Sequence, residues 1–185
     1  MSKKYEIFLF DLDGTITDSA LGITNSVMYS LKKFGIEETD RTKLYKFIGP
    51  PLTESFEKFY GFTKEQSLDG VKYYRDKGIY ENRVYDGLEE VLKKINEAGK
   101  QAIVATSKPE EYAKIIIDHF HLTQYFACVA GMEMDGGRGT KAQVITYALE
   151  KNDITDKSNV LMIGDREHDV IGAHENGLDC LGILY

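Results

Sequence analysis

The chain has 185 residues, 42% hydrophobic and 29% charged, with 17 Gly and only 3 Pro, which excludes a disordered or fibrous protein and allows one domain or a core with a smaller insert. Its 30 acidic against 23 basic side chains give a formal charge of −7, which disfavours a sequence-independent grip on nucleic-acid phosphates. Cys128 and Cys180 sit inside apolar stretches without C-x-x-C spacing, so they read as buried reduced thiols rather than a disulfide framework or a thiolate metal site.

The N-terminal stretch MSKKYEIFLFDLDG starts basic, but its apolar run is too short and meets acid too soon for a signal peptide or a membrane span. The expectation is a cytoplasmic protein. YEIFLF at 5–10 is the first of several apolar runs that lack clean alternation, as strands buried on both faces of a parallel sheet do. Residues 19–83 break that pattern and offer helices without a convincing buried strand. Ile23, Val27, Leu31 and Phe34 mark one helix stopped by Gly35, short helical segments flank FIGPPL at 47–52, and Tyr73 and Tyr74 pack another.

From residue 84 onward strands and helices alternate. Asp86-Gly-Leu-Glu89 reads as a capping box, followed by Leu88, Val91, Leu92 and Ile95 on one stripe and a stop at Gly99. QAIVA at 101–105 is the second strand. Ser107-Lys-Pro-Glu110 then opens a helix with Pro109 in its first turn and Tyr112, Ile115, Ile116 and Phe120 on its apolar face. YFACVA at 125–130 is a third strand, a helix runs from about Lys141 to Glu150, and NVLMIG at 159–164 and LDCLGILY at 178–185 complete the set. This order predicts a doubly wound, Rossmann-like α/β parallel sheet, with residues 1–18 and 84–185 as core and 19–83 as an inserted α-helical cap.

In open α/β sheets ligands bind beyond the carboxyl ends of the strands. Here the first strand ends in Asp11, the second in Thr106 and the fourth in Gly164-Asp165, with Asp169 four residues on. Asp11, Asp13, Asp165 and Asp169 form a hard, oxygen-rich set without His or Cys, suited to Mg2+ with retained water. A cation would offset the repulsion of carboxylates that pay for burial. Lys141 is expected at a helix N-terminus, where the dipole also favours anions, while Lys108 reads as a solvated helix start. His168 reads as a partly exposed loop histidine, and His119, His121 and His174 as helix-surface residues.

The ordered set FDLDGT, ATS, Lys141 and GDREHD resembles the four motifs of the haloacid dehalogenase superfamily of phosphotransferases, over nearly the whole chain. FDLDGTITDSALGITNSVMYSLKKFGI and FIGPPLTESF resemble its phosphoglycolate phosphatase and 5′-nucleotidase branch, in which an α-helical cap follows the first motif. The resemblance implies a Mg2+-dependent phosphomonoester hydrolase acting on a small phosphorylated metabolite. Asp11 would be the nucleophile that forms an aspartyl phosphate, and Asp13 the general acid and base, also offering its backbone carbonyl to the metal. Thr106 and Lys141 would hold the phosphoryl group, helped by the backbone N–H groups of Leu12, Asp13 and Ser107, and Asp165 and Asp169 would complete the metal site.

Lys46 and Gly49 of the cap loop, and Arg138, are further candidate substrate contacts. Gly49-Pro50-Pro51 reads equally as a rigid turn, and Arg138 as an exposed side chain. The same Asp11 and Asp13 would serve a phosphoryl transferase or mutase on a sugar phosphate, and the fold alone would serve a non-catalytic phosphate-binding module. The chain stops at Tyr185, directly after the last expected core strand, where family members continue. That leads to the expectation of uncovered apolar sheet surface. The partners expected are a small phosphorylated metabolite, with no membrane and, from the net charge, no nucleic acid, in a monomer or weak homodimer.

Overall fold

The computed structural model describes residues 4–134 and 137–185. The chain divides into two compact units: residues up to Thr17 together with Val84–Tyr185, and Asp18–Arg83.

The first unit is built on a five-stranded sheet. Its strands are β1 (Ile7–Phe10), β4 (Gln101–Pro109), β5 (Val129–Met132), β6 (Val160–Gly164) and β7 (Asp179–Gly182), in the order β5-β4-β1-β6-β7, every pairing parallel, while β2 (Thr17–Asp18) and β3 (Arg83–Val84) form a separate two-stranded sheet. The first strand is therefore central, with its successors laid down first to one side and then to the other. That reversal opens the crevice beside the carboxyl ends of β1, β4 and β6 where α/β sheets bind ligands.

The inner apolar runs become strands because both their faces are covered, whereas β7 at the sheet edge is largely exposed. Leu9, Ile103, Val160 and Met162 are fully buried together with Val144, Ile145 and Ala148 of helix α7 (Lys141–Lys151). Each such side chain contributes about 1.5–3 kcal/mol by leaving water. Helices α5 (Leu88–Glu97), α6 (Glu110–His119) and α8 (Glu167–Glu175) complete the alternation.

Several local expectations are corrected. Helix α5 begins at Leu88 behind Gly87, whose φ of 80° puts the chain in a left-handed turn, so Asp86 lies outside the cap and forms no capping box. Strand β4 runs through Ser107, Lys108 and Pro109, and α6 starts only at Glu110. Its register with β5 shifts between Ala105 and Pro109, which pairs with Met132. Gly131 permits the approach, since a Cβ there would lie 2.6 Å from the Lys108 carbonyl oxygen. The third strand is Val129–Met132, because Thr123–Tyr125 is taken up in a 3-10 turn. Cys128 and Cys180 are free but only half-buried.

The second unit is helical: α1 (Ala20–Lys33), a 3-10 helix at Arg41–Phe47, α2 (Leu52–Tyr60), α3 (Lys64–Gly70) and α4 (Lys72–Asp76). Its interior is aromatic, with Phe47 edge-on to Phe56 and Phe59, and Phe56 stacked on Phe62. Tyr74 is buried and Tyr73 stacks on Tyr29 at 4.4 Å. Among the described residues, no helix is long and apolar enough to cross a membrane.

Candidate active site

Asp11 leaves β1 held by its own backbone, whose N–H donates to the Ile163 carbonyl at 2.9 Å. The next residues fold into a tight loop. The Leu12 carbonyl accepts from the N–H groups of Ile16 and Thr17, both at 2.9 Å, while the Leu12 side chain is fully buried in the core. The alternation of Asp, Leu and Asp along this turn thus puts one side chain inward and two carboxylates outward.

Carboxylate oxygens of Asp11, Asp165 and Asp169 all lie within 4.8 Å of one another. Lys141 stands between them, its Nζ 2.6 Å from Asp11 Oδ1 and 2.7 Å from Asp169 Oδ1, and it donates to the Ala105 carbonyl at 2.9 Å. These three contacts match the three donors of an ammonium group, which explains how a lysine side chain only 4% exposed stays charged there. Lys141 is brought in by α7, whose first turn is closed by a reciprocal capping box between Thr140 and Gln143. Thr106 is buried at the end of the Ala102–Ala105 run, its hydroxyl accepting from the Lys108 N–H at 3.2 Å, with Ser107 half-buried beside it.

The electrostatics are those of a site built for a cation. Burial pushes the Asp11 carboxyl above its ordinary value, opposed by Lys141 and reinforced by Asp169. Burial likewise raises Asp165, with Asp169 adding to it against Arg166. Burial alone would depress Lys141, but Asp11 and Asp169 outweigh it and hold the ammonium above its usual range. Asp165 Oδ1 is buried without a hydrogen-bond partner. An orphaned carboxylate oxygen beside two more hard oxygens fits Mg2+. The Asp13 carboxylate is not one of these three, although its charge also raises Asp11.

Two glycines make room for these acids. A Cβ at Gly14 (φ 92°) would lie 2.3 Å from Asp165 Oδ2, and one at Gly164 would lie 2.2 Å from Asp169 Oδ2. Their signal was present as the glycine after Asp13 and the glycine before Asp165. Asp169 cannot retreat freely, because Oδ2 also accepts from the Arg166 N–H at 3.1 Å. Gly164→Ala is therefore expected to weaken Mg2+ binding about 10- to 100-fold, read by calorimetric titration. Unchanged affinity would mean that Asp169 does not hold the ion.

The other sequence candidates fall elsewhere. Arg138 is tied to Glu133, to Glu110 at 3.4 Å and to the Gly131 carbonyl at 3.1 Å, with its guanidinium 3.8 Å over the Tyr147 ring. Lys46 and Gly49 belong to the helical unit, where the Lys46 ammonium sits 4.4 Å over the Phe59 ring and Gly49 turns with φ 103°. His168 lies exposed on α8. The clearest correction is Lys108: its side chain is 8% exposed rather than solvated, and its Nζ sits 2.8 Å from Asp13 Oδ2.

Comparison with known proteins gives the family and its relatives. The family described as haloacid dehalogenase-like hydrolase matches residues 8–183. A 5′-nucleotidase of Pseudomonas aeruginosa is 42% identical over 98% of this chain and 84% of its own length. A protein named tyrosine-protein kinase PtkA, from Mycobacterium tuberculosis, is 35% identical over 94% of this chain, which spans 60% of that protein. Among solved structures, a predicted phosphatase from Clostridium acetobutylicum superimposes with a TM-score of 0.86 at 49% identity, over 97% of this chain and 84% of the other.

Proposed function

Since the chain belongs to the haloacid dehalogenase-like hydrolases and is a phosphatase, we propose that it hydrolyses a small phosphomonoester, phosphoglycolate- or nucleoside monophosphate-like, through an aspartyl phosphate on Asp11. The observation that carries this reading is the convergence of Asp11, Asp165, Asp169 and Lys141 from four separate elements onto one point. Asp11 attacks phosphorus, the bond to the leaving oxygen breaks, and Asp13 gives that oxygen its proton. Asp13 then takes a proton from the water that attacks the aspartyl phosphate, which releases inorganic phosphate and restores Asp11.

Asp11, Asp165, Asp169 and the Asp13 carbonyl would hold Mg2+, which when bound neutralises charge on the phosphoryl oxygens. Lys141 and Thr106, with the N–H groups of Leu12, Asp13 and Ser107, bind and orient the same oxygens. The helical unit of residues 19–83 acts as the cap that selects the substrate, with Lys46 and Gly49 as its candidate substrate contacts. The same reading takes the protein to be cytoplasmic and to act as a monomer or weak homodimer.

The test is phosphate release from a panel of phosphomonoesters with and without Mg2+. Hydrolysis that requires Mg2+ and favours one class of ester is expected. A phosphoryl transferase is the second reading, favoured by the relative named as a tyrosine kinase. Phosphate passed to an acceptor, or an isomeric sugar phosphate in place of free phosphate, would establish it; phosphate bound without turnover would reveal a binding module instead.

A further inference from the structure

Lys108 is a buried cation that the scheme above leaves without a task. Its Nζ lies 2.8 Å from Asp13 Oδ2, with side chains 8% and 9% exposed respectively. The other oxygen of that carboxylate, Oδ1, is buried and has no hydrogen-bond partner. A carboxylate so held is asymmetric: one oxygen is committed to an ammonium group and the second is left open. Rotation of Asp13 would exchange them only by breaking a charge-assisted contact in a water-poor place, so the pair fixes which oxygen is offered.

The backbone reinforces that aim. Lys108 lies on the part of β4 where the register with β5 shifts, and its N–H is bound by the Thr106 hydroxyl at 3.2 Å. The close approach of Gly131 to the Lys108 carbonyl fixes the segment from the other side. Thr106 and Lys108 thus stand on one rigid stretch, which couples the phosphate-binding hydroxyl to the residue that orients Asp13. Lys141 has a different task, since its three contacts run to Asp11, Asp169 and the Ala105 carbonyl.

We propose that Lys108 is a positioning residue that clamps Asp13 Oδ2 so that Oδ1 is presented to the leaving-group oxygen of the ester. This rests on the phosphatase reading, in which Asp13 transfers its proton to that oxygen as the P–O bond breaks. The clamp matters in proportion to how much the leaving group needs the proton. An alkoxide needs it, whereas a nitrophenolate departs nearly without help.

The experiment compares kcat/KM for an alkyl phosphate, glycerol phosphate, and for p-nitrophenyl phosphate in the full chain, in wild type, Lys108→Met and Lys108→Arg. This ratio reports the step in which the leaving group departs and is blind to the later hydrolysis of the aspartyl phosphate. For Lys108→Met the loss on glycerol phosphate should exceed that on p-nitrophenyl phosphate by about 10- to 100-fold, a share of what general acid catalysis supplies. Lys108→Arg should recover part of the difference. Equal losses on both esters, with KM rising, would make Lys108 a phosphate ligand and overturn the proposal. So would equal losses in Lys108→Met and Lys108→Arg with a lowered melting temperature. If wild type itself releases no phosphate from either ester, it is the phosphatase reading that fails.

Discussion

Asp11→Asn is expected to lower phosphate release by roughly 10⁴-fold or more while the protein stays folded. The amide is nearly isosteric with the carboxylate but is no nucleophile, so an aspartyl phosphate cannot form. The fold should tolerate the change for a structural reason. Lys141 keeps Asp169 and the Ala105 carbonyl as partners, and the amide oxygen can still accept its third N–H. The charge that is lost was itself disfavoured, because burial and the neighbouring Asp169 raise the Asp11 carboxyl above its ordinary 3.8.

The sign of the pH effect follows from that direction. A carboxyl raised on folding binds more protons in the folded state than in the unfolded one, so wild-type stability declines as pH rises from about 3.8 through the raised value. Asp11→Asn lacks that decline, and its melting temperature should improve relative to wild type over the same interval. A variant retaining a tenth of wild-type turnover would overturn the assignment of Asp11.

The fold was legible where burial is two-sided. NVLMIG and QAIVA read as strands buried on both faces because no alternation interrupts them, and Val160–Gly164 and Gln101–Pro109 are strands on either side of β1. The site was legible where chain order met the topological reversal, since Asp11 and Asp165 directly follow β1 and β6 and Thr106 lies in the carboxyl-terminal half of β4, next to that crevice. Lys141 could be read from its place at the start of a helix behind the third strand.

What escaped was decided by contacts remote in sequence. Ser107-Lys-Pro-Glu110 carries the local signature of a helix start, yet pairing of Pro109 with Met132 keeps it extended. That pairing turns Lys108 from a solvated residue into the partner of Asp13, 95 positions away. Gly14 and Gly164 look like ordinary turn glycines until the carboxylates of Asp165 and Asp169 are seen in the space a Cβ would fill. Asp86 fails as a cap for the opposite reason: the left-handed turn at Gly87, its immediate neighbour, overrides a good capping sequence.

Lys141→Met should do what Asp11→Asn does not, and damage stability and chemistry together. Methionine nearly matches the length of the side chain but leaves Asp11 and Asp169 facing each other with no ammonium between them. Removing one partner of a buried ionic group costs about 3–5 kcal/mol, because the remaining charge is stranded. Burial works against Lys141, but the two acids hold its ammonium above the ordinary 10.5. A base raised on folding contributes stability that is fully present below the unfolded value and is lost only as pH rises through the folded one. The wild-type contribution is therefore intact across pH 5–9, and the variant's deficit over that range comes from its carboxylates. It should shrink toward low pH, where Asp11 takes up a proton, and shrink again on adding Mg2+, which replaces the missing positive charge. Turnover should not recover with that stability, because the phosphoryl oxygens still lack the lysine; a loss of roughly 10²- to 10³-fold at saturating Mg2+ is expected. Chemical denaturation at two pH values, with and without Mg2+, separates the two effects. A variant as stable as wild type at pH 8 without metal would mean that Lys141 does not carry the charge balance of the site.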